Sequence, residues 1–315
     1  MLMLAIDERQ ITSDYYQPNP ELDLHPLLQE GVFSSQTIEG EVPIAGTDSR
    51  YILEIPDNPV DDTVNVIIYG FAGSEPAYRG LAKAMAEQQG LITLRCKLSR
   101  TQKIGASLHP SHLFNPMALS SKIVRGAIGA LPDHGLDEKV NLFGHSMGGY
   151  IGTHIAHHKP HLVERLTLFS SAGLIEHSPR TLAPGVPKLL GRLASDILEL
   201  DEFKPSPGDA LHCLKHIVKN PILTLGEMII VGKCDIRNII SQLDPSVKLA
   251  ILQARDDELF DLKEVVSQVA NSTDNFRVVD DVGHASPITH PSLIAREYAD
   301  LLRESSNITE RPLVA

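Results

Sequence analysis

The sequence predicts an α/β protein with a mostly parallel central sheet flanked by helices and a helical insertion late in the chain. Three observations carry that reading. From Val64 to Ser170, apolar strand-like runs alternate with segments of helical periodicity, which implies right-handed βαβ crossovers. Around Ser146 the pattern is strand, sharp turn, helix. Beyond a helical, proline-rich stretch the strand pattern resumes at Val247, so that stretch interrupts the sheet without ending it.

Taken in order, residues 1–30 are rich in Asp, Glu, Pro and Gln and read as an N-terminal arm. From Gly31 to Ile55, short runs at Val32-Phe33, Thr37-Ile38 and Tyr51 to Ile55 are punctuated by Gly and Pro, as in an antiparallel pair of strands. After the turn from Pro56 to Asp62, the pattern gives a strand over Val64 to Tyr69, a helix over Ala77 to Gln89 and a strand over Gly90 to Arg95. A helix over Ser120 to Leu131, a strand over Val140 to Phe143 and a strand over Leu162 to Ser170 follow.

The apolar run Lys139-Val140-Asn141-Leu142-Phe143 lacks period-2 alternation, which suits a strand covered on both faces. Residues 174–245 are helical with proline joints at Pro179, Pro184, Pro187, Pro205, Pro207 and Pro221. Within them Leu189, Leu193, Ile197 and Leu200 recur at helical spacing, and Asp209 and Asp235 suit N-caps. Val247 to Leu252 and Phe276 to Val279 supply the last strands, and Ser292 to Arg303 a closing helix. The core is thus expected over 31–173 and 246–315, with the helical insertion between.

A chain of 315 residues can bury a large core. Its formal charge of −12 argues against nucleic acid or anionic membrane surfaces as partners. The run Met1 to Ile6 is followed by Asp7 and Glu8 and lacks the basic start and length of a signal peptide. No segment approaches the roughly 20 apolar residues of a membrane span. The three cysteines, Cys96, Cys213 and Cys234, are far apart and odd in number, so neither a disulfide framework nor a metal cluster is expected, and a reducing cytoplasm fits. Oligomeric state leaves no signal in the sequence.

The most informative stretch is Asn141-Leu142-Phe143-Gly144-His145-Ser146-Met147-Gly148-Gly149, a G-x-S-x-G nucleophile elbow. A residue at the tip of such a turn crowds its neighbours, and Gly144 and Gly148 let strand and helix pass closely. The helix that follows, Gly149 to Ala156, halts at Pro160. Because it begins at Ser146, its positive end favours negative charge developing there.

In an open parallel sheet, functional groups gather past the carboxyl ends of strands. One strand is followed by Asp256-Asp257-Glu258 and the next by Asp280-Asp281-Val282-Gly283-His284. Serine needs a base to take its proton, and histidine, with an ordinary pKa near 6.5, is suited to that task. A carboxylate then fixes the tautomer. His284 is the expected base and Asp257 its orienter, with neighbouring Asp256 the alternative in loop register. Two backbone donors would hold an oxyanion: the N–H of Met147, and that of Phe71 in the loop Tyr69-Gly70-Phe71-Ala72-Gly73-Ser74.

These motifs resemble the α/β-hydrolase superfamily over about Val60 to Arg303. The resemblance rests mainly on Gly144-His145-Ser146-Met147-Gly148-Gly149 and on Gly283-His284. It implies that 174–245 is the family's variable helical cap and that the protein is a serine hydrolase acting on an ester or thioester, without metal or organic cofactor. Where many members carry His-Gly-X-Pro this chain has Tyr69-Gly70-Phe71-Ala72, and Ala254-Arg255-Asp256-Asp257 stands in place of Gly-x-x-Asp. The same three residues are compatible with acyl transfer to another acceptor, with cofactor-free lyase or perhydrolase chemistry, or with a non-catalytic ligand receptor. An apolar or small acyl group suits the acidic surface better than a polyanion. His154, His157, His158 and His161 lack a carboxylate or cysteine to complete a metal site and read as favourable partners of a helix C-terminus.

Overall fold

The computed structural model describes residues 33–44, 49–70, 73–98, 116–176, 178–182, 184–196, 229, 231–269, 272–273 and 275–307. The expected arm over 1–30, and Phe71, His109, His112, Ile197, Leu200, Asp209 and Cys213, lie outside them. Among the described residues the strands form one eight-stranded sheet. They are β1 (Ser35–Glu41), β2 (Arg50–Pro56), β3 (Asn65–Ile68), β4 (Thr93–Cys96), β5 (Val140–His145), β6 (Val163–Phe169), β7 (Lys248–Ala254) and β8 (Phe276–Val279). Their order across the sheet is β1-β2-β4-β3-β5-β6-β7-β8. Strand β2 runs antiparallel to both neighbours, and every pairing from β4 to β8 is parallel.

The helices are α1 (Arg79–Gln89), α2 (Pro116–Ile128), α3 (Met147–His158), α4 (Pro179–Leu182), α5 (Gly185–Asp196), α6 (Arg237–Ile240), α7 (Leu262–Val269), α8 (Ser286–Thr289) and α9 (Pro291–Asn307). Two neighbouring residues of β5 show why the sheet needs cover on both faces. Leu142 meets α3 at Gly152, whereas the ring of Phe143 packs edge-on against Tyr298 of α9, centroids 5.2 Å apart. Successive side chains of a strand point to opposite faces, so α3 and α9 lie on opposite sides. All six residues of β5 are buried, as the absence of alternation in this run predicts.

The observed elements differ from expectation at their ends. Gly90 does not begin a strand: it caps α1 in the left-handed conformation at φ 66°, and β4 starts at Thr93. Helix α2 begins earlier than expected, at Pro116, and ends at Ile128, with residues 131–134 forming a separate 3₁₀ turn. Asp235 accepts the Arg237 N–H at 3.1 Å, but it precedes the actual N-cap of α6, Ile236. In the 174–245 stretch the described elements, α4, α5 and α6, are helical.

One buried ion network ties the antiparallel edge to the parallel sheet. Arg95 of β4 contacts Glu54 of β2 at 2.8 Å and Glu75, in the segment after β3, at 2.6 Å; Arg95 and Glu54 are 3% and 1% exposed. Charges so buried persist only when paired.

Candidate active site

Ser146 ends β5 and begins α3 with φ 53° and ψ −122°, a conformation that costs a non-glycine residue about 1–3 kcal/mol. Its backbone is pinned in that state. The Ser146 N–H donates to the Phe169 carbonyl at 3.0 Å, and its own carbonyl accepts from the N–H groups of Gly149 and Ala172, each at 3.0 Å. The turn admits no side chain at its flanks: a Cβ on Gly148 would lie 1.9 Å from the Ile68 carbonyl oxygen, and one on Gly144 2.6 Å from the Gly149 Cα. Gly70 comes equally close, since a Cβ there would lie 2.8 Å from that of Ser146.

The structure brings together Ser146, Asp257 and His284 from loops far apart in sequence. His284 Nε2 lies 3.0 Å from Ser146 Oγ, and Nδ1 lies 2.9 and 3.1 Å from the two Asp257 carboxylate oxygens. Asp257 only accepts, so Nδ1 carries the proton and Nε2 is free to accept from the serine hydroxyl. The Asp257 side chain is fully buried. It accepts further hydrogen bonds from the N–H groups of Leu259 at 2.8 Å and Phe260 at 2.9 Å. Burial alone would raise the Asp257 carboxyl, but the His284 charge, its hydrogen bond and these two amides outweigh it and hold the carboxyl below the usual carboxylate range. Asp256, the alternative in register, points away: its carboxylate is half exposed and faces Arg192 at 3.5 Å.

Four neighbours of this site had no signal in the local sequence. His145 packs against His284, ring centroids 4.9 Å apart. Its Nε2 lies 2.9 Å from the His284 carbonyl and its Nδ1 is hydrogen-bonded to the Tyr78 hydroxyl. A carbonyl can only accept, so His145 carries its proton on Nε2, and the Tyr78 hydroxyl donates to Nδ1. That hydroxyl in turn accepts the Gly70 N–H at 3.4 Å. Burial and the nearby His284 push His145 well below the ordinary histidine value, against smaller opposing contributions from Asp257 and the His284 carbonyl. The other two neighbours are Glu258, whose Oε2 accepts the His284 N–H at 3.0 Å, and Arg192 of α5, which reaches Asp256, Glu258 and Asp281.

Met147 is the first residue of α3, directly after Ser146, with its N–H at the positive end of the helix. Phe71 lies outside the described residues, although Gly70 beside it approaches Ser146 closely. On the far end of α3, Tyr150, His154 and His158 pack ring on ring, and burial together with His158 and His157 lowers the His154 value. No helix among the described residues is long and apolar enough to cross a membrane.

Fold and site together define a class: a mostly parallel α/β sheet with a strained serine at the carboxyl end of a central strand, beside a histidine and a buried carboxylate. The chain has the α/β-hydrolase fold. The profile of the alpha/beta hydrolase fold matches residues 123–204. The mouse (Mus musculus) sn-1-specific diacylglycerol lipase ABHD11 is 32% identical over 120 residues, covering 38% of this chain and 34% of the relative, so the match spans about a third of that protein. Among solved structures, proline iminopeptidase from Mycobacterium smegmatis has a TM-score of 0.63 at 15% identity, over 88% of this chain and all (100%) of that one. A serine hydrolase involved in carbazole degradation gives 0.62 at 18% identity, over 85% and 100%. At these identities the structural likeness concerns the fold.

Proposed function

We propose that the protein is a serine hydrolase that cleaves a carboxylic ester or acyl thioester through an acyl-enzyme on Ser146. The observation that carries the proposal is the continuous hydrogen-bonded line from Ser146 Oγ to His284 Nε2 at 3.0 Å and from His284 Nδ1 to Asp257 at 2.9 Å. Ser146 Oγ attacks the substrate carbonyl carbon while its proton passes to His284 Nε2. Asp257 stabilises the imidazolium and keeps the ring oriented. The negative oxygen is held by the Met147 N–H and by the Phe71 N–H from the loop after β3, each donor contributing on the order of 3 kcal/mol.

The bond to the leaving oxygen or sulfur then breaks, and His284 returns its proton to that atom. Water repeats the sequence: its proton goes to His284, its oxygen bonds the acyl carbon, the Ser146 Oγ–carbon bond breaks, and Oγ recovers the proton. Every proton is accounted for by His284, so this cycle draws on side chains and backbone amides alone.

The similarity over a third of its length to a diacylglycerol lipase supports an ester of an apolar acyl chain as the first substrate class to assay. Residues 174–245 serve in this reading as a cap over the acyl site, and Leu193, buried on α5, contributes to the face by which the cap packs. The buried thiols of Cys96 and Cys234, pushed up to about 12 by burial, are inert and compatible with a reducing cytoplasm.

The test is intact-protein mass after incubation with a small fluorophosphonate. A single adduct on the wild type, absent from Ser146→Ala and His284→Ala, is expected; folded wild-type protein that forms no adduct would overturn the proposal. Including an alcohol acceptor in the ester assay separates hydrolysis from acyl transfer, since an acyltransferase forms the new ester in preference to free acid.

A further inference from the structure

We infer that Arg192 is a positioning residue for this site, through which helix α5 fixes the acid loop and the base loop against one another. The inference rests on the triad reading above, because it concerns how Asp257 and His284 are kept in register.

The Arg192 side chain, on α5, touches both loops. Its Nη2 donates to the Asp281 carbonyl at 3.1 Å, on the base loop. Its Nη1 lies 3.5 Å from the Asp256 carbonyl and 3.5 Å from the Asp256 carboxylate, on the acid loop. Its Nε lies 3.6 Å from Glu258 Oε1 and 3.6 Å from Asp196 Oδ2. A guanidinium is a rigid planar fork, so it can hold several acceptors in a fixed relation where an ammonium presents a point charge.

Two features of these partners distinguish the cluster from an ordinary surface ion pair, which contributes little. Asp281 is held at φ 60°, a left-handed conformation that L side chains adopt at a cost, and it lies three residues before His284. Glu258 is 9% exposed and divides its carboxylate: Oε2 accepts the His284 N–H at 3.0 Å, while Oε1 is buried with no hydrogen-bond partner and with Arg192 as its nearest cation. Removing Arg192 leaves that carboxylate uncompensated beside Asp257 and His284.

The backbone is shaped to admit the guanidinium. A Cβ on Gly283 would lie 2.4 Å from Glu258 Oε1 and 2.8 Å from Arg192 Cδ, so glycine at the residue before His284 makes room for the pair. Helix α5 is also seated on these loops elsewhere. At its start a Cβ on Gly185 would lie 2.3 Å from the Glu258 carbonyl oxygen, and at its end Asp196 accepts from Thr289 Oγ1, in α8, at 3.5 Å. Helix α5 therefore spans from the acid loop to the segment just beyond the base.

The experiment compares wild type, Arg192→Met, Arg192→Lys and Glu258→Gln by steady-state ester hydrolysis and by the rate of fluorophosphonate labelling. Arg192→Met is expected to lower kcat and the labelling rate by about tenfold to a hundredfold, since small misplacements of reacting groups have effects of that size. Its KM should change less than about threefold. Arg192→Lys should recover part of the loss. The groups facing His284 are Asp257, Glu258, His145 and Ser146, and with Glu258 unpaired the acid limb of kcat/KM against pH should move to higher pH in Arg192→Met. Glu258→Gln keeps an acceptor for the His284 N–H without the carboxylate charge and should leave that limb at or below its wild-type position.

Equal labelling rates and unshifted pH limbs in a folded Arg192→Met would overturn the inference while leaving Ser146 as nucleophile. If wild type itself resists labelling, the hydrolase reading fails first. The downfield proton NMR signal of His284 Nδ1–H then decides the positioning role separately. Broadening or loss in Arg192→Met supports it, and an unchanged line refutes it.

Discussion

His145 gives the fold a dependence on pH that can be worked out from its surroundings. Its ring is buried beneath His284, one nitrogen donating to the His284 carbonyl and the other accepting from Tyr78, so every hydrogen-bonding position is used by the neutral form. Burial and the nearby His284 lower its folded-state value well below 6.5. The sign follows from linkage. Between the folded-state value and 6.5, the unfolded chain binds a proton that the folded protein does not, so stability rises with pH. The stabilisation is complete above 6.5 and is lost as pH falls towards the folded-state value.

Each pH unit inside that window is worth at most about 1.4 kcal/mol for one proton. Between pH 8 and pH 5 the wild type should therefore lose up to about 2 kcal/mol through His145 alone, a sizeable share of a stability of ~5–15 kcal/mol. The perturbation is His145→Gln, which retains a donor and an acceptor but does not titrate. Urea unfolding of both proteins at pH 8, 7, 6 and 5 and constant ionic strength gives the two stability curves. The variant should be less stable at pH 8 by about 1–2 kcal/mol for an imperfectly replaced hydrogen bond, and the gap should close as the pH falls. Parallel curves over this range would refute the assignment of a buried neutral imidazole.

Four further outcomes are expected. Ser146→Ala should lower kcat for an ester substrate by about 10⁴ or more with the fold intact by circular dichroism, as removal of a triad nucleophile does elsewhere; activity within tenfold of wild type would exclude Ser146 as the nucleophile. Asp257→Asn should lower kcat by on the order of 10⁴, whereas Asp256→Asn, at a half-exposed carboxylate, should cost less than about tenfold; the reverse order would move the acid to Asp256. Gly148→Ala should destabilise by about 4 kcal/mol or more or prevent folding, because the new Cβ meets the backbone of a central strand and no flexible atom can yield; a midpoint of thermal unfolding within a few degrees of wild type would refute that packing. Arg95→Met should cost about 3–5 kcal/mol by leaving Glu54 buried without its cation, measured by urea unfolding.

Much of this architecture could be read in the sequence because its determinants are local. The buried run into Ser146, the two flanking glycines and the helix that follows sit within one short stretch, where strand propensity, close packing and helix start agree. The places of Asp257 and His284 followed from a rule about strand ends that needs only the strands themselves. The element ends that differ from the sequence pattern depend on backbone geometry: Gly90 belongs to the cap of α1, and its φ of 66° distinguishes a helix stop from a strand start.

His145, Tyr78, Glu258 and Arg192 were illegible for a different reason: their roles are defined by partners distant in sequence. Arg192 meets Asp256 and Asp281 across separations of 64 and 89 residues, and on its helix it looks like any polar residue beside the apolar Leu189 and Leu193. His145 occupies the variable position of the elbow motif, and its tautomer is set by the His284 carbonyl, 139 residues away.

The strained residues join these observations. Three non-glycine residues have positive φ among those described, Ser146, Ser170 and Asp281, and each stands at or just past the carboxyl end of a parallel strand. Each is pinned by neighbours. Ser146 is held by Phe169, Gly149 and Ala172; Ser170 donates its N–H to Leu252 at 2.9 Å and accepts the Ala254 N–H on Oγ at 3.3 Å; the Asp281 carbonyl accepts from Arg192. At about 1–3 kcal/mol apiece such conformations persist only where surrounding contacts over-determine them. Ser146 and Ser170 are fixed by the sheet itself, whose strands are locked in register. Asp281 lacks that support on its carbonyl and depends on a cation from α5. The base loop is therefore the part of the site whose geometry answers to α5, and it is there that a change in that helix would first be felt.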